Sequence, residues 1–66
     1  MKTSTGTLIR QAREHAGLTR PELCKMAPIN YHTLSSIETG RRDISMERLR
    51  LVAKALKVSV RKLVSD

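Results

Sequence analysis

The stretch LTRPELCKMAPINYHTLSSIETG, residues 18–40, holds two helix starts and two helix ends within one short span. Leu18 precedes Thr19 and is followed by Leu23. This is the apolar–cap–apolar spacing of a hydrophobic staple, in which the residue before the N-cap packs on the fifth residue after itself. Glu22, three residues after Thr19, completes a capping box, and Pro21 falls in the first turn, where a missing N–H costs little. Ile29, Asn30 and Leu34 repeat the staple. Between the end of the first of these helices near Met26 and the Asn30 cap lie only Ala27-Pro28-Ile29, the short connection of a helix-turn-helix.

The same staple occurs downstream as Ile44-Ser45 with Leu49 and as Val58-Ser59 with Leu63. Upstream, Leu8, Ile9, Ala12 and Ala16 form one apolar stripe after a start near Ser4 or Thr5, and Gly17 supplies a left-handed stop. No stretch alternates apolar and polar residues long enough for a strand. The chain therefore reads as all-α, a compact bundle with helices over 5–16, 20–26, 31–39, 46–56 and 60–65. Residues 1–66 form a single domain, with the motif at about 19–39 and residues 1–4 as a flexible N-terminus. The expected core is Leu8, Ile9, Ala12, Leu18, Leu23, Met26, Ile29, Leu34, Ile37, Ile44, Leu49, Val52, Ala53, Leu56, Val58 and Leu63. The unequal staple spacings exclude a solenoid period.

Sixty-six residues place the chain near the lower limit for a self-sufficient core. Thirteen Lys and Arg against six Asp and Glu leave a net charge of +7, so a polyanion is the first partner to consider. Charge alone does not locate a site: residues 1–42 hold seven basic and three acidic groups, and residues 43–66 hold six and three. Arg48, Arg50, Lys54, Lys57, Arg61 and Lys62 read mostly as a solvated face. Apolar runs are too short to span a bilayer, the first residues lack a signal-peptide core, and one cysteine cannot form an internal disulfide. A reducing, cytoplasmic setting is expected, with no membrane partner.

Enzyme classes fall away on composition. Gly6, Gly17 and Gly40 are too dispersed for a phosphate-cradling loop or a dinucleotide fingerprint. His15, His32 and Cys24 include no metal-ligand spacing, so neither metal nor cofactor is expected. Tyr31 is the only aromatic residue, too few for the stacking platforms of single-strand binders. No oriented triad can be argued, and the chain reads as no enzyme, with no small-molecule ligand. Cys24 reads as a small packing residue rather than a redox group, and His15 as a solvated or dipole-facing residue at a helix end.

On the second motif helix Leu34 and Ile37 face inward, leaving Tyr31, His32, Ser35, Ser36 and Thr39 outward. That face carries hydrogen-bonding groups and no acid, whereas a merely solvated face would usually pair Glu with Lys. Arg20 before it and Arg41-Arg42 after it are placed as phosphate anchors would be. His32 and Tyr31 each have a bland alternative as plain surface side chains, and serines are common on solvated faces.

With these residues in view, the chain resembles the lambda-repressor-like (Cro/C1, Xre-type) helix-turn-helix domains of bacteria and their phages. The matching stretches are Leu18-Thr19-Arg20-Pro21-Glu22-Leu23, then Thr33 to Arg41, Leu49 to Leu56, and Val58-Ser59-Val60, aligned without gaps from Leu8 to about Val64. The resemblance implies a five-helix fold whose helix 3 enters the DNA major groove. It places base contacts at Tyr31, His32 and Ser36, with Ser35 beside them. It places phosphate contacts at Thr19, Arg20, Asn30, Thr33, Thr39, Arg41 and Arg42, and a structural ion pair at Arg13 and Glu38. Two departures stand out. Pro28 replaces the usual turn glycine, which should end helix 2 at Met26 and force the turn to be rebuilt, and Lys57 replaces the usual glycine after helix 4.

Leu51, Val60 and Val64 lie off the inner stripes and are the candidate dimer surface. The expected function is a sequence-specific double-stranded DNA-binding transcriptional regulator, a repressor acting as a homodimer on a palindromic operator. With so little chain after the motif, no sensing domain is expected. The alternative is an antitoxin-like module that neutralises a protein partner through its apolar C-terminal face, with DNA binding secondary. A nonspecific nucleic-acid binder is the third reading.

Overall fold

The computed structural model describes residues 4–64. Four α-helices follow in order: α1 (Thr5–His15), α2 (Arg20–Met26), α3 (Tyr31–Glu38) and α4 (Met46–Leu56), with a closing 3-10 turn at Val60–Leu63. Each α-helix start is capped by a side chain that takes up one free backbone N–H. Ser4, Thr19, Asn30 and Ser45 accept from the N–H of Thr7, Glu22, His32 and Arg48. The Thr19 box is reciprocal, for the Glu22 carboxylate accepts from the Thr19 N–H at 2.8 Å. Methionine 1 to residue 3 of the expected N-terminal tail, and residue 65 of the last expected helix, lie outside the described residues.

Three helices end in the same double hydrogen bond, a Schellman motif whose pivot residue needs a left-handed backbone. At α1, Gly17 donates to the Glu14 carbonyl and Leu18 to that of Arg13. At α3, Gly40 donates to Ile37 and Arg41 to Ser36. At α4 the pattern repeats with Lys57 donating to Lys54 and Val58 to Ala53, so a lysine occupies the left-handed position at φ 58°. For an L-residue this conformation costs about 1–2 kcal/mol.

The fifth expected helix is corrected to a single 3-10 turn. Ser59 makes no side-chain cap there, and four residues leave room for i to i+3 bonding, as in Lys62 N–H to the Ser59 carbonyl at 3.1 Å. Leu63 still reaches the core, and the turn packs against α1 and α4. In the same way α3 stops at Glu38, with Thr39 as its C-cap.

The core consists of Ile9, Leu23, Ala27, Ile29, Leu34, Ile37, Leu49, Val52, Ala53, Leu56 and Leu63, with Leu8, Ala12, Leu18, Ile44 and Val58 half-buried around it. Met26, expected inside, is 51% exposed, and Ala27 takes the inner place. Proline explains the exchange. It bars its predecessor from the helical region, so Ala27 turns extended at φ −117°, ψ 141° and drops into the core while Met26 stays on the outer side of the last turn. The Ala27 carbonyl then accepts from the Ile29 N–H at 2.7 Å, a three-residue turn centred on Pro28.

Gly6 contributes to the architecture by lacking a side chain. It is buried in α1, where a Cβ would overlap the carbonyl oxygen of Ile37 in α3. The two helices touch backbone to backbone there. α3 therefore rests on α1 and α2 and keeps its remaining face open.

Candidate nucleic-acid interface

The open face of α3 begins at its cap. Asn30 uses its side-chain oxygen to accept from the His32 N–H at 2.8 Å, so its amide NH2 is the part left to meet a ligand. Tyr31 and His32 are exposed at the first turn, their rings edge to face at 6.0 Å between centroids. Ser35 and Ser36 are half-buried further along, and Thr33 is half-buried on the flank toward α4. The outer face thus bears a phenol, an imidazole and two hydroxyls, and the one acid of α3, Glu38, is turned inward with its side chain wholly buried.

Burial of that carboxylate is compensated by two arginines. Arg13 of α1 donates from Nε to Glu38 Oε2 at 2.9 Å and from Nη2 to Oε1 at 3.1 Å, and its Nη1 donates to the Leu18 carbonyl at 2.8 Å. Arg20, the first residue of α2, adds a third bond from Nε to Oε1 at 3.0 Å. Among the described residues no buried side-chain polar atom lacks a partner. The Arg13–Glu38 pair ties α1 to the end of α3, and Arg20 brings α2 onto the same carboxylate. Glu38, and then the Tyr31 hydroxyl, hold the Arg20 guanidinium above its ordinary value.

The segment after α3 carries its arginines in a set position. Ser36 offers its carbonyl to the N–H of Arg41 at 2.9 Å and to that of Arg42 at 3.3 Å, so both residues start from the last turn of α3. The Thr39 hydroxyl donates to the carbonyls of Ser35 and Ser36 at 2.9 and 3.2 Å, which occupies its one proton as a helix cap. Arg42 Nη1 approaches the Thr33 hydroxyl at 3.5 Å. Arg41 and Arg42 are both exposed.

Arg48 is exposed, as expected of a solvated basic face, and it also lines a cleft of about 210 Å³ between α3 and α4 together with Thr33, Arg42, Asp43 and Ser45. Its distance of fifteen positions from Thr33 hides the approach, though the Ser45 cap, which sets where α4 begins, was visible.

The three candidate dimer residues do not line one groove. Val64, 40% exposed, lines a second groove of about 420 Å³ with Met46, Ile44 and Gly6. Leu51, 39% exposed, does not line it, and at 100° per residue it stands some 140° round α4 from Met46. Val60 is half-buried. Cys24 is half-buried, and loss of solvent, with Glu38 nearby, pushes its thiol above the ordinary range, away from thiolate chemistry. Among the described residues no cluster of three or more His, Cys, Asp or Glu could hold a metal, and no helix is long and apolar enough to cross a membrane.

A capped α2, a three-residue turn and an α3 whose outer face is free of acid constitute a helix-turn-helix in geometry, and the helix-turn-helix family model matches residues 9–63. The chain belongs to the Cro/C1-type helix-turn-helix family. Its members are DNA-binding regulators and not enzymes. Two solved structures are similar. One is the master regulator for biofilm formation SinR, in complex with DNA, at 35% identity over 89% of this chain and 95% of that one, with a TM-score of 0.85. The other is the restriction-modification controller protein C.AhdI from Aeromonas hydrophila, at 25% identity over 89% of each chain, also with a TM-score of 0.85. No curated relative matches.

Proposed function

We propose that this helix-turn-helix protein is a sequence-specific regulator of transcription that binds double-stranded DNA, and that it represses by occupying a palindromic operator as a homodimer. The observation that carries the reading is the outer face of α3: Tyr31, His32, Ser35 and Ser36 offer donors and acceptors without an acid, and exposed Arg41 and Arg42 lead off its last turn. Side chains of this kind read base edges in the major groove, while arginines and capped helix ends hold phosphates. SinR, whose similar structure is a complex with DNA, supports the same reading.

In this proposal Tyr31, His32, Ser35 and Ser36 contact bases. Thr19, Arg20, Asn30, Thr33, Thr39, Arg41 and Arg42 line the phosphate backbone, and Arg48 extends that set through the cleft it shares with Thr33 and Arg42. Thr39 would engage phosphate only by giving up its bond to the α3 carbonyls. Two copies meeting through the C-terminal region, with Leu51, Val60 and Val64 at the contact, would set paired half-sites about one helical turn apart.

Selection of bound duplexes from a random library, with excess nonspecific competitor at near-physiological salt, tests the proposal. Enrichment of two inverted half-sites is expected. A folded protein that enriches no motif would refute base reading by α3.

A further inference from the structure

The two arginines on Glu38 are not equivalent. Arg13 spends Nε, Nη1 and Nη2 on Glu38 and the Leu18 carbonyl, and it is buried. Arg20 spends Nε on Glu38 Oε1, its side chain is 29% exposed, and it stands at the first turn of α2 beside Tyr31, at the rim of the proposed interface. A guanidinium gripped by its Nε–H has its orientation constrained by the carboxylate, while the end-on edge formed by its two Nη groups is a separate pair of donors that an anion can take up. The trio of two arginines and one glutamate keeps a net charge of +1, so the site remains attractive to an anion.

We infer that Glu38 is a positioning residue for DNA binding: it holds Arg20 by Nε so that the Nη edge is presented, already oriented, to a backbone phosphate. The same carboxylate that ties α3 to α1 thereby couples the placement of the reading helix to a phosphate contact on α2. This inference rests on the DNA-binding reading above. It also explains why arginine, and not any cation, stands at position 20. A lysine's three donors radiate from one freely rotating nitrogen, so a hold on Glu38 fixes no second, oriented pair of donors toward a phosphate.

Replacing Glu38 would leave Arg13 buried and unpaired and could unfold the chain, so the test is made at Arg20. Arg20→Lys and Arg20→Gln are compared with the unaltered protein by fluorescence anisotropy over a range of salt, on the duplex enriched by selection and on a scrambled duplex, with thermal unfolding as the fold control. Both variants should unfold within a few degrees of the parent. Both should bind either duplex roughly tenfold more weakly, and the slope of log K against log salt should fall by about one. Arg20→Lys binding with the parent's affinity and slope would overturn the positioning role and leave the DNA-binding reading standing. A loss confined to the enriched duplex with an unchanged slope would overturn it too, since the effect would then run through base contacts. An unaltered protein that binds neither duplex would overturn the reading itself and this inference with it.

Discussion

Gly6→Ala separates what helix propensity dictates from what packing dictates. In an isolated helix, alanine is favoured over glycine by about 1 kcal/mol, so local rules forecast a more stable protein. The structure forecasts the reverse. A Cβ at Gly6 would overlap the Ile37 carbonyl oxygen, with the Ile37 carbonyl carbon and the Glu38 Cα also close. These are backbone atoms of α3, which cannot turn aside as a flexible side chain would. Overpacking of this kind costs about 1–3 kcal/mol, and a backbone obstacle puts it at the upper end. After the propensity gain, the net loss is about 2 kcal/mol, which for a domain of this length lowers Tm by roughly 8–16 °C. Thermal unfolding followed by circular dichroism reads it directly. Gly17→Ala serves as the contrast: nothing lies within 4 Å of its Cβ, and the penalty of about 1 kcal/mol comes from φ +75° alone. A rise in Tm for Gly6→Ala would refute the close approach of α1 and α3.

Lys57→Gly should stabilise the protein by up to about 1 kcal/mol, because it relieves a left-handed lysine, and an unchanged or lower urea midpoint would count against the strain. Glu22 is held below the ordinary carboxylate range, first by the Thr19 backbone N–H and then by its hydroxyl. A lowered folded value means stabilisation that is present above the unfolded glutamate range and lost as pH falls through the folded value. Glu22→Gln, which can still cap, should therefore flatten the acid limb of a stability–pH curve, and a curve identical to the parent's would exclude the contribution. Arg41→Ala should weaken binding to every duplex and reduce the salt slope by about one. His32→Ala should relax preference at one or two base pairs in a repeated selection, whereas uniform weakening across sequences would remove it from base reading.

Helix positions were legible because their signals are local. A cap and its staple lie within five residues, and Ser4, Thr19, Asn30 and Ser45 each bond the N–H their spacing requires. The stop at Met26 was legible for the same reason, since proline acts on its immediate neighbour. Met26 itself was misplaced, because the turn after α2 decides whether residue 26 or 27 enters the core. The last helix was overestimated, because a staple marks a start and says nothing of how far the turns continue.

On its own the sequence determined the helix order, the left-handed stop at Gly17, and the acid-free outer face of α3, all matters of spacing within about one or two turns. Only the tertiary structure decided that Gly6 meets Ile37, that Arg20 joins Arg13 on Glu38, and that Arg48 enters the cleft beside Thr33. Those approaches join residues fifteen to thirty-one positions apart. Their distances depend on how whole helices settle against one another, with a buried carboxylate requiring its cations and a missing Cβ permitting contact.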